Sequence, residues 1–124
     1  MRMGVEAACT FAAAVVVLAA SAAPALAKSA RCDIKTSDGG YAGACDFTRE
    51  KGGSFSIAPV GRSDFFAHAK DDPGITEIDV EIQGAHADVS GLTSDGINSR
   101  WGPASRSAKD KACWIGEDFA ICVY

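Results

Sequence analysis

The sequence contains four cysteines that form two closely spaced pairs, one towards each end of the same segment. Cys32 and Cys45 make up the first pair, and Cys113 and Cys122 make up the second. A fifth cysteine, Cys9, lies in an apolar stretch at the N-terminus. An even set of four is typical of small exported domains that are stapled by two disulfides. Three pairings are possible, and the turns between the cysteines favour one of them.

The first 27 residues have the pattern of a cleavable secretory signal. A basic residue precedes an uncharged stretch from 7 to 23, and Ala25-Leu26-Ala27 places small residues directly before Lys28. A membrane-spanning helix is the competing interpretation, but no basic cluster follows the apolar stretch. We therefore predict cleavage between Ala27 and Lys28, a mature protein without a membrane span, and a periplasmic or secreted location.

Removal of 27 of the 124 residues leaves 97, which is enough for one domain and too few for two. The leader carries one basic and one acidic residue, Arg2 and Glu6, so the net charge stays at −4. This charge argues against nucleic acid or an anionic membrane as a partner, and it permits a basic one. The domain prediction is therefore a leader at 1–27 and a single β domain at 28–124.

Hairpin geometry favours pairing each cysteine with its near neighbour. Asp38-Gly39 is a strong signal for a two-residue turn, and a loop at these residues makes Cys32 face Cys45 across two strands. A loop at Glu117-Asp118 makes Cys113 face Cys122 in the same way. Both pairs then fall at positions without a ladder hydrogen bond, where side chains are close enough for a bridge. C-x-x-C spacing, which would suggest redox or metal chemistry, is absent from the sequence.

The mature chain is expected to be all-β. In the clearest strand, 75–82, Ile78, Val80 and Ile82 alternate with acidic residues, so one face is buried and the other meets water. Further short strands are predicted at 54–58, 64–69 and 85–92, separated by Gly, Pro, Asp and Ser. About eight or nine such strands indicate a small antiparallel barrel or sandwich stapled by two disulfides. Six aromatic residues are expected in or beside its core, namely Phe47, Phe55, Phe65, Phe66, Trp114 and Phe119.

The sequence offers little catalytic machinery, and neither an enzyme nor a cofactor is predicted. The mature chain has two histidines, His68 and His86, and no motif places a nucleophile beside a base. His86 and Asp88 would share a strand face and could form a metal site with His68, since imidazole and carboxylate suit zinc or copper. Exposed histidines with no ligand are the alternative, and we predict no metal.

Charge is distributed unevenly along the chain. Seven acidic residues and no Lys or Arg lie between 71 and 95, namely Asp71, Asp72, Glu77, Asp79, Glu81, Asp88 and Asp95. The segment from 98 to 111 contains four basic residues and one acidic residue, and the basic ones are Arg100, Arg106, Lys109 and Lys111. Complementary fields select partners, so the acidic strand and the basic segment are candidate contacts. The alternative is a solvated strand face that pairs with a neighbouring loop.

Trp101 lies between Arg100 and Gly102-Pro103 in a segment without clear alternation. Tryptophan and arginine are the residues that binding hot spots favour, so Trp101 is a candidate partner contact. Packing in the core is the alternative.

Four stretches of the mature chain are distinctive, namely CDIKTSDGGYAGACDF, GGSFSI, GLTSDGINSRWGPA and ACWIGEDFAICVY. They resemble a group of small exported proteins of Gram-negative bacteria that have four paired cysteines and no known function. The resemblance extends from Cys32 to Tyr124 and implies a compact β domain, with no functional residues to carry over. Periplasmic inhibitors of c-type lysozyme are similar in size, export and β architecture. The Ser and Lys of their Tyr- and Trp-containing motifs have no counterpart here.

These observations lead to three functional hypotheses. The first is a non-enzymatic periplasmic or secreted binding module for a protein or envelope ligand, with recognition in the loops between Thr93 and Lys111. The second is an inhibitor of a basic lysozyme or of a protease from another organism. The third is a metal-binding or enzymatic role that uses His68 and His86.

Overall fold

The computed structural model describes residues 4, 12–16, 26–66 and 73–124. Most of the predicted leader and its apolar stretch therefore lie outside the described residues, as does His68. Eight strands form one closed antiparallel barrel in which each strand pairs with its neighbours in sequence and the last pairs with the first. The strands are β1 Lys28–Thr36, β2 Gly40–Arg49, β3 Phe55–Pro59, β4 Ile75–Gln83, β5 His86–Thr93, β6 Asn98–Arg106, β7 Cys113–Gly116 and β8 Phe119–Val123, with one 3-10 turn at Lys51–Gly53.

The barrel confirms the all-β prediction and selects a barrel over a sandwich. Its basal end is defined here as the end where β1, β3, β5 and β7 begin and where β2, β4, β6 and β8 end. The apical end is the opposite one, where the loops 37–39, 94–97 and 117–118 lie together with the described residues 60–66 and 73–74. Antiparallel closure removes unpaired sheet edges.

Alternating side chains fill the barrel. On β4, Ile78 and Val80 are fully buried, while Ile82 is half-buried at the basal end. A register shift between Ile75 and Glu77 marks a β-bulge. Because a bulge inserts one residue, Ile75 and Ile78 both reach the core although they are three positions apart.

Both predicted disulfides are present, joining Cys32 to Cys45 and Cys113 to Cys122. In the second hairpin Cys113 faces Cys122 as predicted. The predicted register of the first hairpin is wrong, because Cys32 faces Gly43 and Cys45 faces Ala30. The bridge is therefore diagonal, with a Cα–Cα distance of 5.8 Å. Diagonal neighbours share a face of the sheet, which allows the bond to form.

The turn of the first hairpin explains the shift in register. The Thr36 side chain donates a hydrogen bond to the Gly39 carbonyl at 2.6 Å and accepts bonds from the backbone N–H groups of Asp38 and Gly39. The loop is therefore centred on Ser37-Asp38, one residue earlier than predicted. Neither Asp38 nor Gly39 has the positive φ that the predicted turn requires.

The predicted strand at 64–69 is not formed in its described part. Phe65 and Phe66 instead lie in the apical loop, where both are buried. The backbone N–H of Phe65 donates to the carbonyl of Ile75, and that of Ile75 donates to the carbonyl of Phe66. These bonds hold the two rings over the apical opening, so they close the core at that end.

Candidate functional site

The predicted recognition segment between Thr93 and Lys111 does not form one surface. The turn at 94–97 is apical, whereas the loop at 107–112 is basal, because β6 runs the length of the barrel between them. Arg100 and Trp101 lie in the apical half of β6, and Arg106 lies at its basal end. Lys109 is exposed in the basal loop. The acidic residues of β4 lie on the outer wall.

Trp101 occupies a β-bulge. Val89 on β5 pairs with Gly102, and the next residue, Ser90, pairs with Arg100, so Trp101 is the extra residue. The bulge explains why the sequence around Trp101 shows no alternation. The Trp101 ring is half-buried, with its centroid 5.7 Å from the Phe119 ring.

Trp101 also packs closely against β5. A Cβ atom added to Gly91 would lie 2.9 Å from Trp101 Nε1, so the indole occupies the space that a side chain at position 91 would need. Trp101 also lines an apical depression of about 240 Å³ together with Asp118. Trp101 is thus both a core contact and part of the apical surface.

Arg100 is engaged by an acid on the neighbouring strand. Its Nη2 donates to Asp88 Oδ1 at 2.9 Å, and its Nε donates to both carboxylate oxygens at 3.2 Å. This contact raises the pKa of Arg100. His86, on the same face of β5 as Asp88, is exposed, and its Nδ1 lies 3.5 Å from Ser105 Oγ. Asp88 thus contacts a guanidinium of the neighbouring strand β6.

A different set of carboxylates comes together on the outer wall. Oxygens of Glu50, Glu77 and Asp79 lie within 4.8 Å of one another. We call these three residues, with the exposed Glu81 beside them on β4, the acidic patch. Burial raises the pKa of Asp79 to about 6, and the nearby carboxylates of Glu77, Glu50 and Glu81 add to this effect. The patch is therefore a concentrated negative surface. Hard cations prefer oxygen ligands of this kind.

We expect Asp79→Asn to stabilise the protein at about pH 7 and to have little effect near pH 4. The pKa of this carboxyl is 3.8 when unperturbed and about 6 in the fold, so the folded state binds more protons between these values. Stability therefore falls as pH rises through this window. The side chain is only half-buried, and solvent screening limits the gain at pH 7 to about 1 kcal/mol.

Urea denaturation at both pH values measures the effect of Asp79→Asn. The paired positions on the neighbouring strands, Ser56 and Ser90, are uncharged, so the acidic patch dominates the local field. Asp95→Asn in the exposed apical turn is the matched control and should leave stability unchanged at both pH values. Equal stability of Asp79→Asn and the parent protein at pH 7 would contradict the expected repulsion.

A groove of about 970 Å³ lies at the basal end of the barrel. We call it the basal groove. Its apolar wall is formed by side chains from five strands and the basal loop, namely Phe47, Phe55, Ile82, Ala112, Trp114 and Val123. Four basic residues also line it, namely Lys28, Arg49, Arg106 and Lys111, together with one acid, Glu50. Small-molecule sites have similar volumes and mainly apolar walls.

Two contacts organise the basal groove. The Arg106 guanidinium carbon lies 4.7 Å from the centroid of the Trp114 ring, which places a cation over the apolar wall. The Tyr124 hydroxyl donates a hydrogen bond to Asp110 in the basal loop. This bond lowers the pKa of Asp110 and raises that of Tyr124. It also ties the end of the chain to the loop that borders the groove.

The basal groove was not predicted from the sequence, although the sequence does show basic residues at the positions where strands begin or end. Arg49 and Arg106 are the last residues of their strands, and Lys28 is the first of its strand. All three lie at the basal end only because the strands alternate in direction around a closed barrel. The residues that line the groove offer apolar contact and positive charge.

The described residues contain no helix that is long and apolar enough to cross a membrane. Comparisons with models of protein families, with curated proteins and with solved structures found no match for this chain.

Proposed function

We propose that this protein is a non-enzymatic binding module, exported to the periplasm or beyond, that receives its ligand in the basal groove. The groove itself is the observation that carries the proposal: it combines a volume of about 970 Å³ with an aromatic and aliphatic wall. Phe47, Ile82 and Val123 are each half-buried there, so a ligand would cover apolar surface that now meets water. Covering such surface favours binding by roughly 25 cal/mol per Å².

The rest of the barrel supports this role as a rigid frame. Strand β2 carries Arg49 into the groove and is held to β1 by one disulfide, while the other joins β7 and β8 beside Trp114. Sites built on strands are held more firmly than sites on loops. The disulfides also agree with the oxidising location that the leader predicts.

A neutral apolar probe tests the proposal. The protein is expressed with its whole sequence, purified from a bacterial periplasm with its disulfides intact, and titrated with N-phenyl-1-naphthylamine. We expect saturable fluorescence enhancement with one site per chain. Ala112→Trp places an indole in the groove and should weaken binding about tenfold. Ala42→Trp, at an exposed position on β2, is the matched control and should bind like the parent protein.

Two results would refute a ligand site in the basal groove. One is the absence of saturable enhancement with a protein that is folded by circular dichroism. The other is unchanged affinity in Ala112→Trp, which would place the probe elsewhere.

A second candidate function, inhibition of a basic enzyme, is favoured by the acidic patch. Burial, together with repulsion from the neighbouring carboxylates, raises the pKa of Asp79. A basic partner would relieve the repulsion. The two ion pairs found among the described residues, Arg62–Asp64 and Arg100–Asp88, leave the patch unneutralised.

Inhibition of a basic c-type lysozyme and of a basic serine protease tests this second candidate. The protein at micromolar excess should slow one of them, and the double variant Glu77→Gln/Asp79→Asn should inhibit at least tenfold more weakly. The double variant Asp95→Asn/Glu117→Gln, at exposed apical positions, is the charge-matched control. Full enzyme activity in the presence of the parent protein would exclude this function for the enzymes tested.

A further inference from the structure

We propose that the basal groove selects a single-chain anionic amphiphile, a molecule with a hydrocarbon tail and one carboxylate headgroup. This inference rests on the proposed function and adds the chemical class of the ligand. We call the four basic residues that line the groove, Lys28, Arg49, Arg106 and Lys111, its rim. The inference follows from the charge of this rim, from its position relative to the apolar wall, and from the charge distribution along the barrel.

The rim of the groove is positive and is not neutralised from within the described chain. Four basic residues and one acid line the groove, and none of the four basic residues takes part in the ion pairs found among the described residues. The single acid, Glu50, lies with its carboxylate beside Glu77 and Asp79 in the acidic patch. An anionic headgroup would therefore meet several cations that lack a carboxylate partner.

The Arg106 side chain joins the positive charge of the groove to its apolar wall. Arg106 lies over the Trp114 ring, and Trp114 is part of the same wall as Ile82 and Val123. A headgroup bound at Arg106 would leave its tail in contact with that wall. A guanidinium also matches a carboxylate better than an ammonium does, because it can donate two parallel hydrogen bonds.

The two ends of the barrel also differ in charge. The described apical loops carry five acids and one basic residue, and the acids are Asp38, Asp64, Asp95, Glu117 and Asp118. Their field and that of the basal cations both draw an anion to the basal end. The predicted cleavage before Lys28 adds a positive α-amino group at the rim and removes Leu26, which lines the groove in the unprocessed chain.

Calorimetric titration of the periplasmic protein with three probes tests the inference. Dodecanoate supplies tail and carboxylate, dodecyltrimethylammonium supplies the tail with the opposite charge, and acetate supplies the carboxylate alone. We expect dodecanoate to bind at least tenfold more tightly than the cationic amphiphile, and acetate to give no measurable binding. Raising the salt concentration should weaken dodecanoate binding, because exposed charges are screened.

Two variants assign the selectivity to the rim. Arg106→Gln should weaken dodecanoate binding about tenfold, and Lys111→Gln should weaken it about threefold. Lys111 is exposed in the basal loop, so its replacement should leave the fold intact. This variant therefore tests the rim even if loss of the Arg106–Trp114 contact destabilises the Arg106→Gln protein. Lys35→Gln removes the same charge from an exposed position outside the groove and should have no effect.

The outcomes separate the inference from the proposed function. Equal affinity for the two amphiphiles, or parent-like affinity in both rim variants, overturns the selectivity for anions. If the neutral naphthylamine probe still binds in the groove, the proposed function stands. If neither that probe nor dodecanoate binds, both are overturned.

Discussion

Replacing Cys32 and Cys45 together by alanine is expected to lower the free energy of unfolding by about 3 kcal/mol. The same change at Cys113 and Cys122 should have a similar effect. The bridges close segments with sequence separations of 13 and 9 residues, and most of the effect comes from restricting the unfolded chain. A small domain has roughly 5–15 kcal/mol of stability in total. Loss of both bridges should therefore leave much of the protein unfolded at 37 °C.

Urea denaturation of the two double variants and of the quadruple variant measures these losses. Parent protein with and without reductant provides the matched comparison, since reduction removes the same bonds without changing a side chain. Loss of the diagonal bridge should lower the free energy of unfolding slightly more. Cys32 and Cys45 are both fully buried, so alanine at these positions also leaves a small void. A processed protein with four free thiols and undiminished heat resistance would contradict the role assigned to the bridges.

Trp101→Ala is expected to lower the free energy of unfolding by about 2 kcal/mol. A fully buried tryptophan costs roughly 3–5 kcal/mol on replacement by alanine, and Trp101 is half-buried against Phe66 and Phe119. Binding in the basal groove should be unchanged, because Trp101 lies in the apical half of the barrel. Urea denaturation and the naphthylamine titration measure the two quantities on the same sample.

Gly91→Ala provides a coupled test of the same packing. In the parent protein its Cβ would lie 2.9 Å from Trp101 Nε1, so this substitution should cost about 1 kcal/mol. In the Trp101→Ala background the space is free and the cost should disappear, which a double-mutant cycle detects. If the two substitutions are additive, or if Trp101→Ala leaves stability unchanged, Trp101 does not contribute to the core as described.

Disulfide connectivity was predictable because it depends on local geometry. Cys113 and Cys122 are close in sequence and a short turn lies between them, so their pairing follows from the hairpin alone. The pairing of Cys32 with Cys45 was predicted correctly, although the predicted register of the two strands was wrong. The prediction survived because two positions along one strand stay on the same face, within reach of a diagonal bond. Thr36 determined the turn instead of Asp38-Gly39, and side-chain hydrogen bonds of this kind are difficult to anticipate from composition.

The candidate site was much less predictable than the fold. Arg106 was identified from the local excess of positive charge, but it was grouped with Arg100, which lies farther up the same strand and pairs with Asp88. Lys28 and Arg49 were not predicted as ligand contacts, because each is an isolated charge at the end of a strand. Their common location depends on how the barrel closes, which no local pattern contains.

What the sequence alone determined is what short-range physics controls. Alternation of apolar and polar residues specified strands such as β4, and the spacing of cysteines specified two stapled hairpins. Both depend on residues that are close together in the sequence. Tertiary structure decided the rest: closure into a barrel, the bulge that turns Trp101 towards the core, and the gathering of distant cations around the basal groove. These features depend on contacts between strands far apart in sequence, so their energy cannot be assigned to any one segment.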